Sequence, residues 1–465
     1  DRTFFFGSLQ RWTDRQLGSG TTINGVPTAE GRTLLQSLAG SRPQVAALLK
    51  HLPAAQGALP NSVPLTVGTR TERIPVGTLS GSTSFKFDDW QWSSRMDHRL
   101  NDKHQLGGRY IYDDRMSGGS GQATPPGLTT VVPSRRQAFT FYLTSNPSPT
   151  LVNEFRGSWQ RFSSTTTAFD PVSEEIPSIE IPELGLTGFN AATTRTAIGL
   201  AVNLPQFRFN NIYQLQDTVS WIKGTHAVKF GIDFRQTDVK SFFFPTYRGL
   251  LRYPTLQRFV DDNAEAANIN KPLPGGDAIQ YYKWKDYFWF IGDEWRVRPS
   301  LTLTYGLRHE AHGQSILSLL PQNKRIIAAA GGDQRYGLFP EPKSDKNNFQ
   351  PRFGFNWAPR TKSEGLLGKL TGGGKLVFRG GYSRTNDYAF INIALNVASS
   401  FPFVAAINNS NLANAFTVLP RLSPTGLDPN QLTRTIVAGD FRSPVTEQFS
   451  TEIQRELGNN WVMRV

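Results

Sequence analysis

The chain has 465 residues, 38% of them hydrophobic, with 50 Lys and Arg against 37 Asp and Glu and no cysteine. Disulfides and thiolate metal sites are excluded, and no apolar run approaches the roughly 18 residues a membrane-crossing helix needs. The net charge of +13 is spread singly, as at Arg95, Arg109, Arg235, Arg308 and Arg379, with no basic run of five, which argues against a nucleic-acid partner.

Along the chain, DRTFFFGSLQRW opens without the charged, apolar and small-residue regions of a signal peptide, so either the protein is not exported or Asp1 is not its true start. About thirteen candidate strands follow, most of them in pairs joined by tight-turn residues. WQWSSRMDHRL (90–100) and KHQLGGRYIYDD (103–114) are separated by Asn101 and Asp102, and FTFYLTS (139–145) and LVNEFRGSWQRF (151–162) flank NPSPT. NIYQLQDTVSWI (211–222) meets HAVKFGIDFRQ (226–236) across Lys223, Gly224 and Thr225. YFWFIGDEWRV (287–297) meets LTLTYGLRHE (301–310) across Arg298, Pro299 and Ser300. NFQPRFGFNWAP (348–359) and KLVFRGGYSR (375–384) are joined by a longer turn, and VTEQFSTEIQREL (445–457) meets WVMRV across Gly458, Asn459 and Asn460.

Between the hairpins the connections are long, at roughly 13–84, 115–135, 163–207, 240–282, 311–347 and 386–443. Structureless connections beyond about 12–15 residues are uncommon in compact soluble domains. Short turns on one rim and long loops on the other are what a transmembrane β-barrel shows. Two loops are expected to carry helices folded over the loop end: 32–52, broken at Pro43, and 255–269.

The strands themselves alternate. Leu301, Leu303, Tyr305 and Leu307 oppose Thr302, Thr304, Gly306 and Arg308; Val228, Phe230, Ile232 and Phe234 oppose Lys229, Gly231, Asp233 and Arg235. A period of two places these sets on opposite faces of a sheet. The apolar set Phe230, Phe234, Leu301, Leu303 and Leu307 is expected to face lipid, and Leu303→Arg to carry the cost of a cation near the bilayer midplane. Trp221, Trp295, Trp357 and Trp461 each lie close to a short turn, where an interfacial aromatic girdle would sit. Asp217 and Asp293 fall on the apolar side, which points to a bulge or to strand ends lying beyond the hydrocarbon.

Catalytic chemistry is not legible. His309 and His312 in RHEAHG lack the HExxH spacing, and GGGK at 372–375 has neither the first glycine nor the Ser or Thr of a phosphate loop. The acidic pairs Asp88–Asp89, Asp113–Asp114 and Asp261–Asp262 are expected to be solvated loop charges, and no enzyme activity or cofactor is expected.

The phrases RMDHRLNDKHQLGGRYIY, NNIYQLQDTVSWIKGTHAVKFGIDFR, FIGDEWRVRPSLTLTYGLRHE, FQPRFGFNWAP and TEQFSTEIQRELGNNWVMRV resemble the barrel segments of TonB-dependent outer-membrane receptors, nearest to the Oar-like group. The resemblance implies an all-β, antiparallel up-and-down transmembrane barrel of 22 strands, of which residues 1–465 would hold about 13, without the plug and short of the C-terminus. It further implies an outer-membrane importer of a scarce ligand, small molecule or peptide. Its implied partners are outer-membrane lipid and lipopolysaccharide, and the TonB complex through an N-terminal region this sequence does not include. A passive porin or a surface adhesin built on the same barrel is the alternative. No ligand-binding residue can be transferred, because the shared phrases are scaffold.

Overall fold

The computed structural model describes residues 2–18, 22–81, 83–118, 129–169, 171–188, 195–361, 365–388, 390–458 and 461–465. Thirteen strands, all but the last of ten residues or more, form one sheet: β1 (Thr3–Gly18), β2 (Thr83–Asn101), β3 (His104–Gly118), β4 (Thr130–Ser148), β5 (Leu151–Ala168), β6 (Gln206–Lys223), β7 (His226–Phe242), β8 (Ile279–Arg298), β9 (Leu301–Ala311), β10 (Asn348–Trp357), β11 (Leu376–Asn386), β12 (Val445–Gly458) and β13 (Trp461–Arg464). Each pairs antiparallel with its neighbours in chain order, and the sheet is open, with β1 and β13 at its edges.

The turns follow from their residues. At the β6–β7 junction Gly224 takes φ +59°, a left-handed conformation that costs glycine little. The β10–β11 connection carries a short helix, Leu366–Thr371, ending on Gly372 at φ +57°. Asn459 and Asn460, between β12 and β13, lie outside the described residues.

Register carries the alternation unbroken across the sheet. On one face Phe155, Asp217, Ile232, Trp289, His309 and Phe349 stand opposite one another in sequence from β5 to β10. On the other, Glu154, Thr218, Gly231, Phe290, Arg308 and Gln350 do the same. No bulge interrupts 211–221 or 287–295; the β8–β9 register shifts only between Arg296 and Arg298. Asp217 and Asp293 therefore remain on the apolar face, where partners absorb their polarity. Asn153 Nδ2 donates to Asp217 at 2.6 Å, the Tyr305 hydroxyl donates to Asp293 at 2.7 Å, and His226 lies 2.6 Å from Asp293.

The long loops are not structureless. Strands 22–27, 57–67 and 70–80 form a three-stranded sheet, and 404–413, 263–272, 250–252 and 178–180 form a four-stranded one. Helices α1 (Ala29–Ala39) and α2 (Pro43–His51) cover the first sheet. Thr28 caps α1 by accepting from Gly31 N at 3.1 Å, and Pro43 opens α2, where a missing N–H costs nothing. The expected helix over 255–269 is shorter: α3 spans Leu256–Val260 and the chain then turns into strand 263–272. That segment is drawn into β-structure by pairing with 250–252 on one side and 404–413 on the other.

Both small sheets share one apolar core, in which Leu35, Leu48 and Ile74 meet Ile179, Leu184, Tyr253, Phe259 and Leu419. Two glycines let the first and third long loops touch. A Cβ on Gly25 (φ +102°) would stand 2.9 Å from the Glu183 carbonyl, and one on Gly185 (φ +71°) 2.4 Å from that of Asn24. A second core joins Phe244, Leu319, Ile326, Leu395, Phe401 and Phe403 of the loops to Val239, Tyr282 and Trp284 of β7 and β8. Those three belong to the polar face, so the loops fold as a cap over its loop-side end.

Candidate functional site

The polar face beneath the cap is built of paired charges. Arg95 lies 2.7 Å from Asp97 and donates to the Tyr142 hydroxyl at 2.9 Å; Arg156 lies 2.6 Å from Glu154. Gln214 and Gln216 both donate to Asp233, at 2.8 and 2.9 Å. Arg308 pairs with Glu310 at 2.5 Å, and Glu452 takes Arg379 at 3.4 Å and Arg464 at 2.5 Å. Phe288 is held between the guanidiniums of Arg235 and Arg308, 5.7 and 5.5 Å from its centroid. Such cation–π contacts fix long side chains without spending their hydrogen-bond donors. Glu154, Arg156, Gln216, Asp233, Phe290 and Arg308 line a recess of about 230 Å³ there. Its mixed charge and flanking ring suit a polar ligand, and it offers no nucleophile and base in contact.

At the rim between this face and the cap, His312 lies just beyond β9. Its Nε2 is 2.9 Å from Glu310 and its Nδ1 3.8 Å from Asp286, which is 1% exposed. Burial alone would depress the imidazole, but the facing carboxylates of Asp286 and Glu310 outweigh it and raise the pKa to about 9. A raised pKa stabilises the folded state fully below the unfolded value, and that contribution is lost as pH rises through the folded one. The contact between cap and wall is therefore expected to loosen as pH climbs through about 9. Proteolytic sensitivity of the cap should rise across that range in the native protein, and the step should vanish in His312→Gln.

The cap itself is cross-linked by polar groups. Gln44 on α2 donates to the Val260 carbonyl at 3.0 Å, and Glu183 accepts from Leu256 N at 2.7 Å. Asp262, expected to be a solvated charge, is instead buried: it accepts from the Tyr253 hydroxyl at 2.7 Å and from Phe416 N at 2.9 Å, and desolvation raises its pKa. Asp89 is also buried, on the polar face, accepting from Gln91 at 2.7 Å. Asp88 and Asp114 pair with Arg15 and Arg135. Arg195, fully buried, donates to Ser178 Oγ at 3.0 Å; burial foremost, with Arg248 nearby, lowers its pKa to about 9. Among the described residues no group of three or more His, Asp or Glu side chains is placed to hold a metal ion.

On the apolar face, Trp221, Trp295, Trp357 and Trp461 all lie toward the short turns. Trp295 stacks on His226 (5.3 Å) and Trp357 on Phe378 (5.5 Å), while Trp461 is 70% exposed. Phe230 is 44% exposed; Phe234, Leu301, Leu303 and Leu307 are half-exposed. A second aromatic row, which the reading of the sequence missed, includes Trp159, Tyr213 and Tyr287. Tyr213 precedes Trp221, and Tyr287 precedes Trp295, by eight positions on the same face. At about 3.3 Å per residue and a tilt near 40°, that spacing gives roughly 20 Å between rows, close to the apolar band of a membrane barrel.

A family model described as an outer membrane beta barrel domain matches residues 1–465. No curated protein matches the chain. The fold is similar to that of the outer membrane transporter YddB from Escherichia coli, at 11% identity and a TM-score of 0.51, over 83% of this chain. The chain spans about 40% of that transporter's length. The siderophore receptor PirA from Pseudomonas aeruginosa aligns over 99% of this chain and 54% of its own, at 9% identity and a TM-score of 0.40.

Proposed function

The chain belongs to the outer membrane beta barrel domain family, a multi-pass outer-membrane protein that crosses lipid with strands, and from that premise we propose that it forms the wall of an energised importer. In this reading the protein is a TonB-dependent receptor of the Oar-like group. The apolar face between the two aromatic rows meets lipid, and the polar face lines a lumen that receives a plug and passes a small-molecule or peptide ligand.

The observation that carries the proposal is the cap. A passive pore needs an unobstructed lumen, whereas here Tyr282, Trp284 and Asp286 of the polar face are buried beneath loops with cores of their own. A path closed at rest fits transport in which energy and ligand together open the way. Full-length protein in liposomes should not admit arabinose above background in a swelling assay. Ligand uptake by cells should stop when TonB is deleted. Rapid swelling, or uptake indifferent to TonB, would replace this reading with a porin.

A further inference from the structure

The apolar face carries a feature that import through the lumen does not use. Beyond the second aromatic row, toward the cap, four cations project from this face: Arg161 two residues past Trp159 on β5, Lys240 on β7, and Lys283 and Lys285 just before Tyr287 on β8. Register places Arg161, Asn211, Asp238 and Lys283 in one row across β5 to β8, with Lys285 opposite Gln236 on one side of it and Lys240 opposite Tyr281 on the other. Strands about 4.8 Å apart set these four side chains within roughly 15 Å across the sheet.

Four cations face one carboxylate there, a local excess of 4 − 1 = 3: Asp238 lies 3.7 Å from Lys283. On β1 to β4 Arg15 is paired with Asp88 at 2.6 Å and Arg135 with Asp114 at 3.1 Å, which leaves Arg11 and Lys86 as the cations in excess on this face there. The excess is larger in this sector of the wall, across β5 to β8, than across β1 to β4. The cap does not cover it, because on β8 the polar-face residues are buried while Tyr281 is 64% exposed and the Lys283 side chain 62%. The Lys240 ammonium lies over the rings of Phe207 and Tyr281, at 5.9 and 5.7 Å.

We infer that this sector is a docking surface for lipopolysaccharide, with the phosphates of the glycolipid on Arg161, Lys240, Lys283 and Lys285 and its acyl chains against Leu215, Ile232 and Phe234. The inference rests on the reading that the apolar face meets lipid. Charge complementarity selects the partner: cations immediately outside an aromatic row and an apolar band match a molecule whose anionic groups sit directly above its hydrocarbon. A soluble anion would engage the cations and leave the adjoining apolar surface unused.

The test uses full-length protein purified from an outer membrane, with bound lipopolysaccharide counted by native mass spectrometry. A variant combining Arg161→Gln, Lys240→Gln, Lys283→Gln and Lys285→Gln should retain at least about tenfold less than the native protein. A control with Lys103→Gln, Lys223→Gln, Arg296→Gln and Arg298→Gln, at the short-turn rim, should retain it. Dephosphorylated lipopolysaccharide added back should not bind. Equal retention by the native protein and the first variant, or equal binding of the dephosphorylated glycolipid, overturns the inference. Because the sequence has no cysteine, Phe230→Cys carries a single nitroxide in the same preparation. If the label collides with oxygen rather than aqueous nickel while lipopolysaccharide retention is unaffected, only the docking surface fails. If it collides with nickel, the lipid-facing reading fails as well.

Discussion

Leu307→Arg in the full-length protein is expected to weaken folding into bilayers by about 2–4 kcal/mol, the cost of a cation at the midplane of a barrel's lipid face. Leu307 stands opposite Ile291 on β8, four residues above Leu303, which is level with Trp295 in the turn-side aromatic row. Leu303→Arg, expected from the sequence to carry the midplane cost, should therefore cost less, because its guanidinium reaches the headgroups within about a turn of the strand. Thr304→Arg should cost least. It lies on the polar face between Glu294 and Gly354, which supply a carboxylate and room. Urea titrations in short-chain phosphatidylcholine bilayers measure all three. The order Leu307, Leu303, Thr304 is the decisive outcome, and equal losses at 303 and 307 would remove the assigned depth.

The second large effect lies in the cap. Phe259 is fully buried and meets Tyr253 edge-on at 5.2 Å, within the core that joins the two small sheets. Phe259→Ala removes a buried ring and leaves a cavity, at a typical cost of about 3–5 kcal/mol. The loss should fall on the cap alone, since the long sheet is held by its own ladder of backbone hydrogen bonds. Limited proteolysis should cut 19–82 and 243–278 much faster, while the barrel keeps the heat-modifiable gel mobility of the native protein. Loss of that mobility would mean that cap and wall unfold as one unit.

These two regions also divide what the sequence reveals. The hairpins are legible because each is a local problem: Lys223, Gly224 and Thr225 close a turn, and the flanking residues alternate within a dozen positions. The faces follow from the same period, and the second aromatic row was readable too, as Tyr–Trp pairs eight apart. The strands run longer than expected, to 20 residues in β8, because beyond Tyr287 the outward positions become Lys285 and Lys283 and no longer read as lipid-facing. The cap is not legible, since its strands are as short as Ser178–Glu180 and their partners come from other loops. In 263–272 the Ala-rich stretch favours helix locally, and only pairing with distant segments overrides it. Asp262 looked like loop charge for the same reason: Phe416, which donates to it, is far away in sequence.

The cap's core also dictates an order of assembly. Ile23 and Leu419 pack in the same cluster, and every strand from β2 to β11 lies between them in the chain. Contacts so distant in sequence form late, after the closure entropy of the intervening chain has been met by the hairpins that shorten it. The sheet must therefore be largely laid down, hairpin by hairpin, before the cap can close. Until then Leu35, Leu48, Ile74 and Phe259 are exposed apolar loops on a nascent chain, and it is this stage of biogenesis that most needs a chaperone's shelter.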